Sequence, residues 1–222
     1  MDYGQLADAL AFCGNSLLVP MTQRTAVGLD PAFWEAFPLF DDEGVADAVQ
    51  DCAAWAAECE RRCDAAGQDA VERCAVEYTR LFVGPPRPAV APWETAHRAA
   101  ADGADSTVGF GRATFEMREL LRNAGLQLCN ENRQYEDHMG IELLLLSELC
   151  RRAAANDGLA AAEASAFAAD HPAAWVEGLR SAAAEAVPDG YYAGLLGVAA
   201  ALLSVVVSRG LGRGSLCEPD RW

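Results

Sequence analysis

One segment of the chain, from Glu136 to Ala155, is predicted to form a helix that is apolar on nearly every side. Its centre reads Ile141-Glu142-Leu143-Leu144-Leu145-Leu146, so hardly any of its surface is suited to contact with water. A helix of this kind is stable only when other helices cover it. The segment therefore favours a helical bundle in which this helix lies at the centre.

Helix-starting and helix-ending residues divide the rest of the chain at regular intervals. Asp30-Pro31 is typical of an N-cap followed by proline at the first helical position, and Gly67 is typical of a helix end. Alanine, a strong helix former, makes up 45 of the 222 residues. We predict an all-α fold, a single-domain bundle of roughly ten helices over residues 1–222. It would have a proline-rich loop at 84–95 and a flexible tail from about 210 to 222.

The predicted helices are recognised by their apolar stripes and by residues typical of helix starts and ends. They begin at residue 2, at Pro31, at Asp41-Asp42, at Gln68, at Arg112 and at Glu136, with one or two alanine-rich helices in 159–186 and a last helix in 190–208. In the helix at 112–123 the apolar side is predicted to contain Phe115, Leu120 and Leu121.

The charge of the chain is strongly negative and unevenly distributed. There are 33 acidic and 17 basic residues, all of the latter arginine, which gives a net charge of −16. Residues 1–77 hold 15 acids and 4 arginines, a net −11. Such a chain repels phosphate, so a nucleic-acid partner is not expected, whereas a cationic ligand would be attracted to the first third.

The N-terminus and the cysteines predict a cytoplasmic protein with reduced thiols. Residues 1–8 have acids where a secretory signal would have basic residues, and a long helical chain of this kind does not resemble a disulfide scaffold. Cys52, Cys59 and Cys63 fall on one helical stripe and are predicted to be buried core residues. With no Cys-x-x-Cys pair and three histidines in all, we expect neither a metal nor another cofactor.

The segment from Gly190 to Ser208 has 19 residues without a charge, which is at the threshold for crossing a bilayer. One interpretation is a tail anchor that makes this a membrane protein. The other, which we favour, is the buried last helix of a soluble bundle, because the segment is only moderately hydrophobic and lacks a basic flank on its N-terminal side.

Two stretches could form a functional site. In the first, a helix with Tyr78, Leu81 and Phe82 ends at Gly84-Pro85, and a proline-braced loop leads to Pro92-Trp93-Glu94-Thr95. Because Pro92 restricts the backbone, it could hold Trp93 as an ordered aromatic surface for an apolar peptide. Simple core packing of these apolar residues is the alternative.

The second stretch is Tyr135-Glu136-Asp137-His138, at the head of the apolar helix. Acids at a helix start are ordinary capping residues, but Asp137 beside His138 also suggests acid–base chemistry, which leaves a small helical enzyme as an alternative. No nucleophile in a recognisable elbow accompanies them, so we predict that the protein is not an enzyme.

Together these stretches resemble the TorD/DmsD family of redox-enzyme maturation chaperones, which includes NarJ-like proteins. The resemblance lies in Tyr78, Leu81-Phe82, Gly84-Pro85, Pro92-Trp93-Glu94-Thr95 and Glu136-Asp137-His138, in matching order and spacing. His171-Pro172, Trp175 and Tyr191-Tyr192 also look like the C-terminal half of the family. The likeness covers about residues 70–210.

The resemblance implies an all-helical cytoplasmic chaperone of the TorD type. Such a protein binds the twin-arginine signal peptide and the catalytic subunit of a molybdopterin oxidoreductase of the dimethyl sulfoxide reductase type, and holds the apoenzyme for cofactor insertion before export. It would be a monomer or a helix-exchanged dimer with transient membrane association. By position, the residues implied at the signal-peptide site are Tyr78, Leu81, Phe82, Pro92, Trp93, Asp137 and His138.

The charges of a twin-arginine peptide suggest how such a site would work. An arginine pair followed by an apolar run needs carboxylates next to an apolar groove. We expect Asp137 and Glu94 to contact the arginines, and Leu81, Phe82 and Trp93 to contact the apolar run.

Overall fold

The computed structural model describes residues 2–102, 107–128, 134–155 and 158–211. Within these ranges there are ten α-helices and no strand, which confirms the predicted all-α bundle. The helices are α1 (Tyr3–Leu18), α2 (Pro31–Glu35), α3 (Glu43–Ala66), α4 (Ala70–Tyr78), α5 (Glu94–Asp102), α6 (Arg112–Asn123), α7 (Met139–Ala154), α8 (Gly158–Asp170), α9 (Pro172–Ala186) and α10 (Tyr191–Leu211). Short 3₁₀ turns lie at Met21–Gln23 and Val27–Leu29, and α4 continues as a π-helical turn at Thr79–Val83.

Helix α7 lies at the centre of the bundle, as its sequence predicts. It packs along α1 and also contacts α8 and α9. The α1–α7 contact is close because Gly14 faces Gly140: a Cβ atom on either glycine would lie 2.7 Å from the carbonyl oxygen of the other. Ser147 of α7 also donates a 2.7 Å hydrogen bond to the Ala7 carbonyl of α1. These contacts hold α1 directly against the central helix of the bundle.

Helix α10 is the apolar segment with two interpretations. The stretch Tyr191–Arg209 has the length and apolarity of a membrane span, yet more than half of it is buried inside the bundle. It packs on α3, α8 and α9. Its N-terminus is held by Glu77 of α4, whose carboxylate accepts hydrogen bonds from the backbone N–H groups of Tyr191 and Tyr192 at 3.0 and 2.9 Å. The structure thus agrees with the buried core helix.

Several helix boundaries match the predicted ones because their caps are local in sequence. The side chain of Asp30 accepts a hydrogen bond from Ala32 N with Pro31 at the first helical position, and that of Asp42 caps α3 through Val45 N. Gly67 ends α3 in the left-handed conformation, with φ of 63°. Helices α8 and α9 meet at His171-Pro172.

Four predicted features differ in the structure. Helix α7 begins at Met139, so Glu136 and Asp137 precede it and His138 is its N-cap. Helix α5 was not predicted, and it takes up the last two residues of the expected 84–95 loop. Phe115 is 49% exposed, so it is not on the buried side of α6. Helix α10 continues to Leu211, into the expected tail, and the rest of that tail lies outside the described residues.

The described cysteines are free thiols in the core, as predicted. They are Cys13, Cys52, Cys59, Cys63, Cys74 and Cys150, while Cys129 and Cys217 lie outside the described ranges. Among the described residues there is no group of three or more His, Cys, Asp or Glu side chains that could hold a metal ion. Burial raises the pKa of Cys52 and of Cys150 to about 12, so both stay protonated at neutral pH.

We expect Cys52 and Cys150 of the folded protein to react with iodoacetamide at least about a hundredfold more slowly than in urea, because the thiolate is the reactive form. Timed alkylation at pH 8 followed by peptide mass mapping measures each cysteine separately. Fast labelling of Cys52 in the native protein, with α-helical circular dichroism unchanged, would contradict the buried assignment.

Candidate functional site

The structure joins the two sequence stretches through their backbones. Trp93 and His138 form an isolated antiparallel bridge. Glu94 N donates to the Asp137 carbonyl at 2.9 Å, and Met139 N donates to the Pro92 carbonyl at 3.0 Å. The residues that link the end of the proline-rich loop to the head of α7 are thus adjacent in space although they are more than forty positions apart in sequence. We call this region the motif junction, defined by Pro92–Thr95 and Glu136–Met139.

Each residue of Glu136-Asp137-His138 ties a different helix to the junction. Glu136 accepts a bidentate pair of hydrogen bonds from Arg118 of α6, at 2.7 and 3.1 Å. Asp137 caps α5 from outside that helix, because one carboxylate oxygen accepts from Thr95 N at 3.0 Å. His138 caps its own helix, since its Nδ1 accepts from Gly140 N at 3.0 Å.

Asp137 and Glu94, the expected arginine-binding carboxylates, are both fully buried. The second carboxylate oxygen of Asp137 accepts from the Thr114 hydroxyl of α6 at 3.0 Å. Glu94 is paired with Arg98 at 2.5 Å and with His171 Nδ1 at 3.0 Å. In this conformation both carboxylates already have partners within the protein, so neither is available to a peptide. Their assignment to the arginines stays a prediction that this packing does not favour.

Glu142 lies beside this cluster and is fully buried in the first turn of α7. One of its carboxyl oxygens accepts from Trp175 Nε1 at 3.0 Å, and its carboxyl group also interacts with that of Glu94. Burial raises the pKa of Glu142 well above its ordinary value, and the negative charges of Glu94 and Asp137 raise this pKa further. The hydrogen bond from Trp175 acts in the opposite direction and lowers it. The neutral acid is therefore favoured, which avoids another buried negative charge.

His138 is also fully buried, and this bears on the alternative of an enzyme. Burial lowers the pKa of His138 to about 3, so the imidazole is neutral and a very weak base at physiological pH. Its Nδ1 is used as a helix cap, and the described hydrogen bonds of Asp137 go to Thr95 and Thr114. The two side chains therefore lack the arrangement of a catalytic acid–base pair.

The remaining predicted site residues form a separate group in the core. Tyr78, Leu81 and Phe82 are at most 4% exposed. The ring of Phe82 lies 5.4 Å from that of Tyr192 in α10, and the Tyr78 hydroxyl donates to the Leu17 carbonyl of α1 at 3.3 Å. These side chains fix the end of α4 against α1 and α10. The loop returns to them through a 3.0 Å hydrogen bond from Val90 N to the Leu81 carbonyl.

Trp93 is half-buried, and it borders an exposed aromatic surface. Its ring lies 6.4 Å from that of Tyr135, which is 39% exposed and packs against Gly109. Phe110, next to Gly109, is 71% exposed, and Phe115 lies under the guanidinium of Arg118 at 5.4 Å. We call Phe110, Phe115 and Tyr135 the aromatic patch.

Two N–H donors at the junction have no acceptor. Trp93 Nε1 and His138 Nε2 are both buried without a hydrogen-bond partner among the described residues. The rings that bear them are 6.1 Å apart. Because His138 Nδ1 accepts a hydrogen bond, the ring proton must lie on Nε2. Nearly all buried donors in folded proteins are paired, so these two need an explanation. The hydroxyl groups of Tyr191 and Tyr192 are also buried without a partner among the described residues, but they lie inside the core, whereas the Trp93 ring is only half-buried.

Glu142, Thr114 and Glu77 were not predicted as parts of these networks. For Glu142 a signal was available, because an acid within an apolar run that must be covered by other helices has to be neutralised or paired in the core. Thr114 and Glu77 are surrounded by ordinary helix-forming sequence, and their roles become visible only when distant helices are packed together.

The chain was also compared with known proteins. A protein-family model described as nitrate reductase delta subunit matches residues 41–181, which is more than half of the chain and includes the whole motif junction. No curated protein matches the chain.

Proposed function

Because the chain belongs to the nitrate reductase delta subunit family, a family of redox-enzyme maturation chaperones related to TorD, we propose that it binds the twin-arginine signal peptide of a molybdoenzyme catalytic subunit. Members of the family act in molybdoenzyme maturation and bind catalytic subunits. In our proposal the complex forms in the cytoplasm and delays export until the molybdenum cofactor has been inserted.

The observation that supports this proposal best is the pair of unpartnered donors at the motif junction. A peptide in an extended conformation presents backbone carbonyl groups, which are the acceptors that Trp93 Nε1 and His138 Nε2 lack. Both donors are buried, so a small displacement of the junction would accompany binding. A signal peptide would then complete hydrogen bonds that the free protein leaves open.

The aromatic patch provides the apolar contact that a signal peptide needs. Its three rings are exposed, Phe110 in particular being 71% exposed, and the Tyr135 ring lies 6.4 Å from that of Trp93. Exposed aromatic side chains that are held by their neighbours are good anchors for an apolar segment, since little side-chain entropy is lost on binding. We therefore assign one contact with the apolar part of the peptide to the exposed edge of the junction, and a supporting role to the buried members of the junction.

Replacing Trp93 with Phe is expected to lower the affinity for a twin-arginine signal peptide about fivefold to tenfold, because it removes one donor to the peptide. The peptide is a synthetic signal sequence of a dimethyl sulfoxide reductase-type subunit, titrated by calorimetry. Stability should change little, since the removed N–H has no partner in the free protein.

The matched control is Trp55→Phe, in which the lost N–H donates to the Asp189 carbonyl at 2.8 Å. That variant should lose stability and keep its peptide affinity. Phe110→Ser tests the patch in the same titration, with Leu159→Ser as its control because Leu159 is exposed on α8. If Trp93→Phe and Phe110→Ser both bind the signal peptide as tightly as the unaltered protein, the junction is not the binding region.

A further inference from the structure

A groove in the first part of the chain combines an apolar floor with an acidic rim. It lies between α1 and the segment from α2 to Asp41, and its volume is about 750 Å³. Phe12, Phe33 and Phe37 line it as a packed set, with ring centroids 4.7 to 6.3 Å apart. Leu39 in the lining is 46% exposed. The groove is therefore an apolar surface that faces solvent.

Three carboxylates stand at this groove, those of Asp2, Asp8 and Asp41. Asp8 is 82% exposed, and Arg151 reaches it only at 3.9 Å. The one arginine in the groove lining, Arg209, directs its guanidinium to the backbone carbonyl groups of Phe40 and Asp41. The lining thus has a net negative charge, and apart from Arg209 it belongs to residues 1–77, whose net charge is −11.

We infer that this groove binds the arginine pair of the signal peptide together with the apolar side chains that follow it. The inference rests on the proposed function. The groove has exposed carboxylates for the arginines, which the motif junction lacks because its Glu94 and Asp137 are buried and already paired. Exposed carboxylates beside an apolar floor match the order of charges and apolar residues in such a peptide. A second copy of this chain fits less well, since its net charge is −16 and like charges repel.

The test replaces Asp2, Asp8 and Asp41 with Asn in one variant. Asn keeps the helix cap that Asp2 provides through Gln5 N, and it tolerates the positive φ of 51° at Asp41. A control variant carries Asp47→Asn, Asp51→Asn and Asp64→Asn, exposed positions of α3 outside the groove. Both variants lose the same charge, so long-range attraction is weakened equally and only the groove differs.

The probes are two synthetic peptides, one with Arg-Arg followed by an apolar run and one with Ala-Ala in place of the arginines. We expect the groove variant to bind the Arg-Arg peptide about tenfold more weakly than the control variant does at low salt, with a smaller difference at high salt. The Ala-Ala peptide should bind both variants equally, because no arginine remains to contact the groove. Leu39→Ser should weaken both peptides.

The possible outcomes distinguish a failure of the groove assignment from a failure of the proposed function. If the unaltered protein binds the Arg-Arg peptide and the groove and control variants lose equal affinity, the groove assignment is wrong while the proposed function stands. If the unaltered protein binds neither peptide nor a full signal sequence, both are wrong. A dimer in light scattering that only the groove variant dissociates would identify a second copy as the occupant and overturn the inference.

Discussion

Replacing Asp137 with Ala is expected to lower the free energy of unfolding by about 3 kcal/mol, because two buried donors lose their acceptor at once. These donors are the backbone N–H of Thr95 at the start of α5 and the hydroxyl of Thr114 in α6. The variant also removes a buried charge close to Glu142, which offsets part of the loss. Urea unfolding followed by circular dichroism measures the difference.

Two further variants make this result specific. Asp137→Asn keeps one acceptor oxygen, so its loss should be roughly half as large. Asp51→Ala, at an exposed position in the middle of α3, should change stability by less than about 0.5 kcal/mol. If Asp137→Ala were as stable as the unaltered protein, its role as the external cap of α5 would have to be abandoned.

The expected instability also affects how binding data on this residue should be interpreted. A loss of peptide affinity in Asp137→Ala would follow from a displaced junction even if the carboxylate never contacts an arginine. Affinity should therefore be compared with that of Asp137→Asn, at a temperature where circular dichroism shows both variants folded. The Trp93→Phe variant avoids this problem because its lost donor has no partner within the described protein.

Replacing Glu142 with Gln is expected to have the opposite effect, a gain of about 1 to 2 kcal/mol in the free energy of unfolding at pH 7. Gln keeps an oxygen for the 3.0 Å hydrogen bond from Trp175 and cannot ionise. The unaltered protein has to keep a proton on Glu142 or bury another negative charge near Glu94 and Asp137, and both are unfavourable at neutral pH.

The sign of the pH dependence follows from the raised pKa of Glu142. Above the ordinary pKa of 4.5 the unfolded chain loses the proton while the folded protein retains it, so stability falls as the pH rises toward the folded pKa. The advantage of Glu142→Gln should therefore be small at pH 4 and grow toward pH 7. Glu185→Gln, at an exposed position of α9, should show no such trend. A constant difference across this range would mean that the pKa of Glu142 is not raised.

The parts of the fold that could be predicted are those whose signals are local. Asp30-Pro31, Asp42 and Gly67 lie within a few residues of the helix ends that they determine, and the apolar run of α7 indicates its central place directly. Helix α5 could not be predicted in this way. Its cap is Asp137, more than forty positions later, and the residues just before it are Pro92 and Trp93.

The candidate site was predicted less completely than the fold. The sequence motifs predicted that Trp93, Glu94, Asp137 and His138 belong to one site, and the structure brings these four residues together. Sequence alone does not tell which of them face solvent, because an acid that caps a neighbouring helix looks the same as one that awaits a ligand. The exposed aromatic patch was missed for the same reason, since Phe115 fits the apolar period of α6 and yet lies outside the core.

The attachment of α10 to Glu77 has a consequence for how the protein is made. The carboxylate that receives the N-terminus of α10 belongs to α4, 114 residues earlier in the chain. During translation α1 to α9 therefore leave the ribosome before the helix that fills the space beside α3, α8 and α9. Until α10 has emerged, that space and the carboxylate of Glu77 stay uncovered, so this chaperone can complete its own core only after α10 has been synthesised.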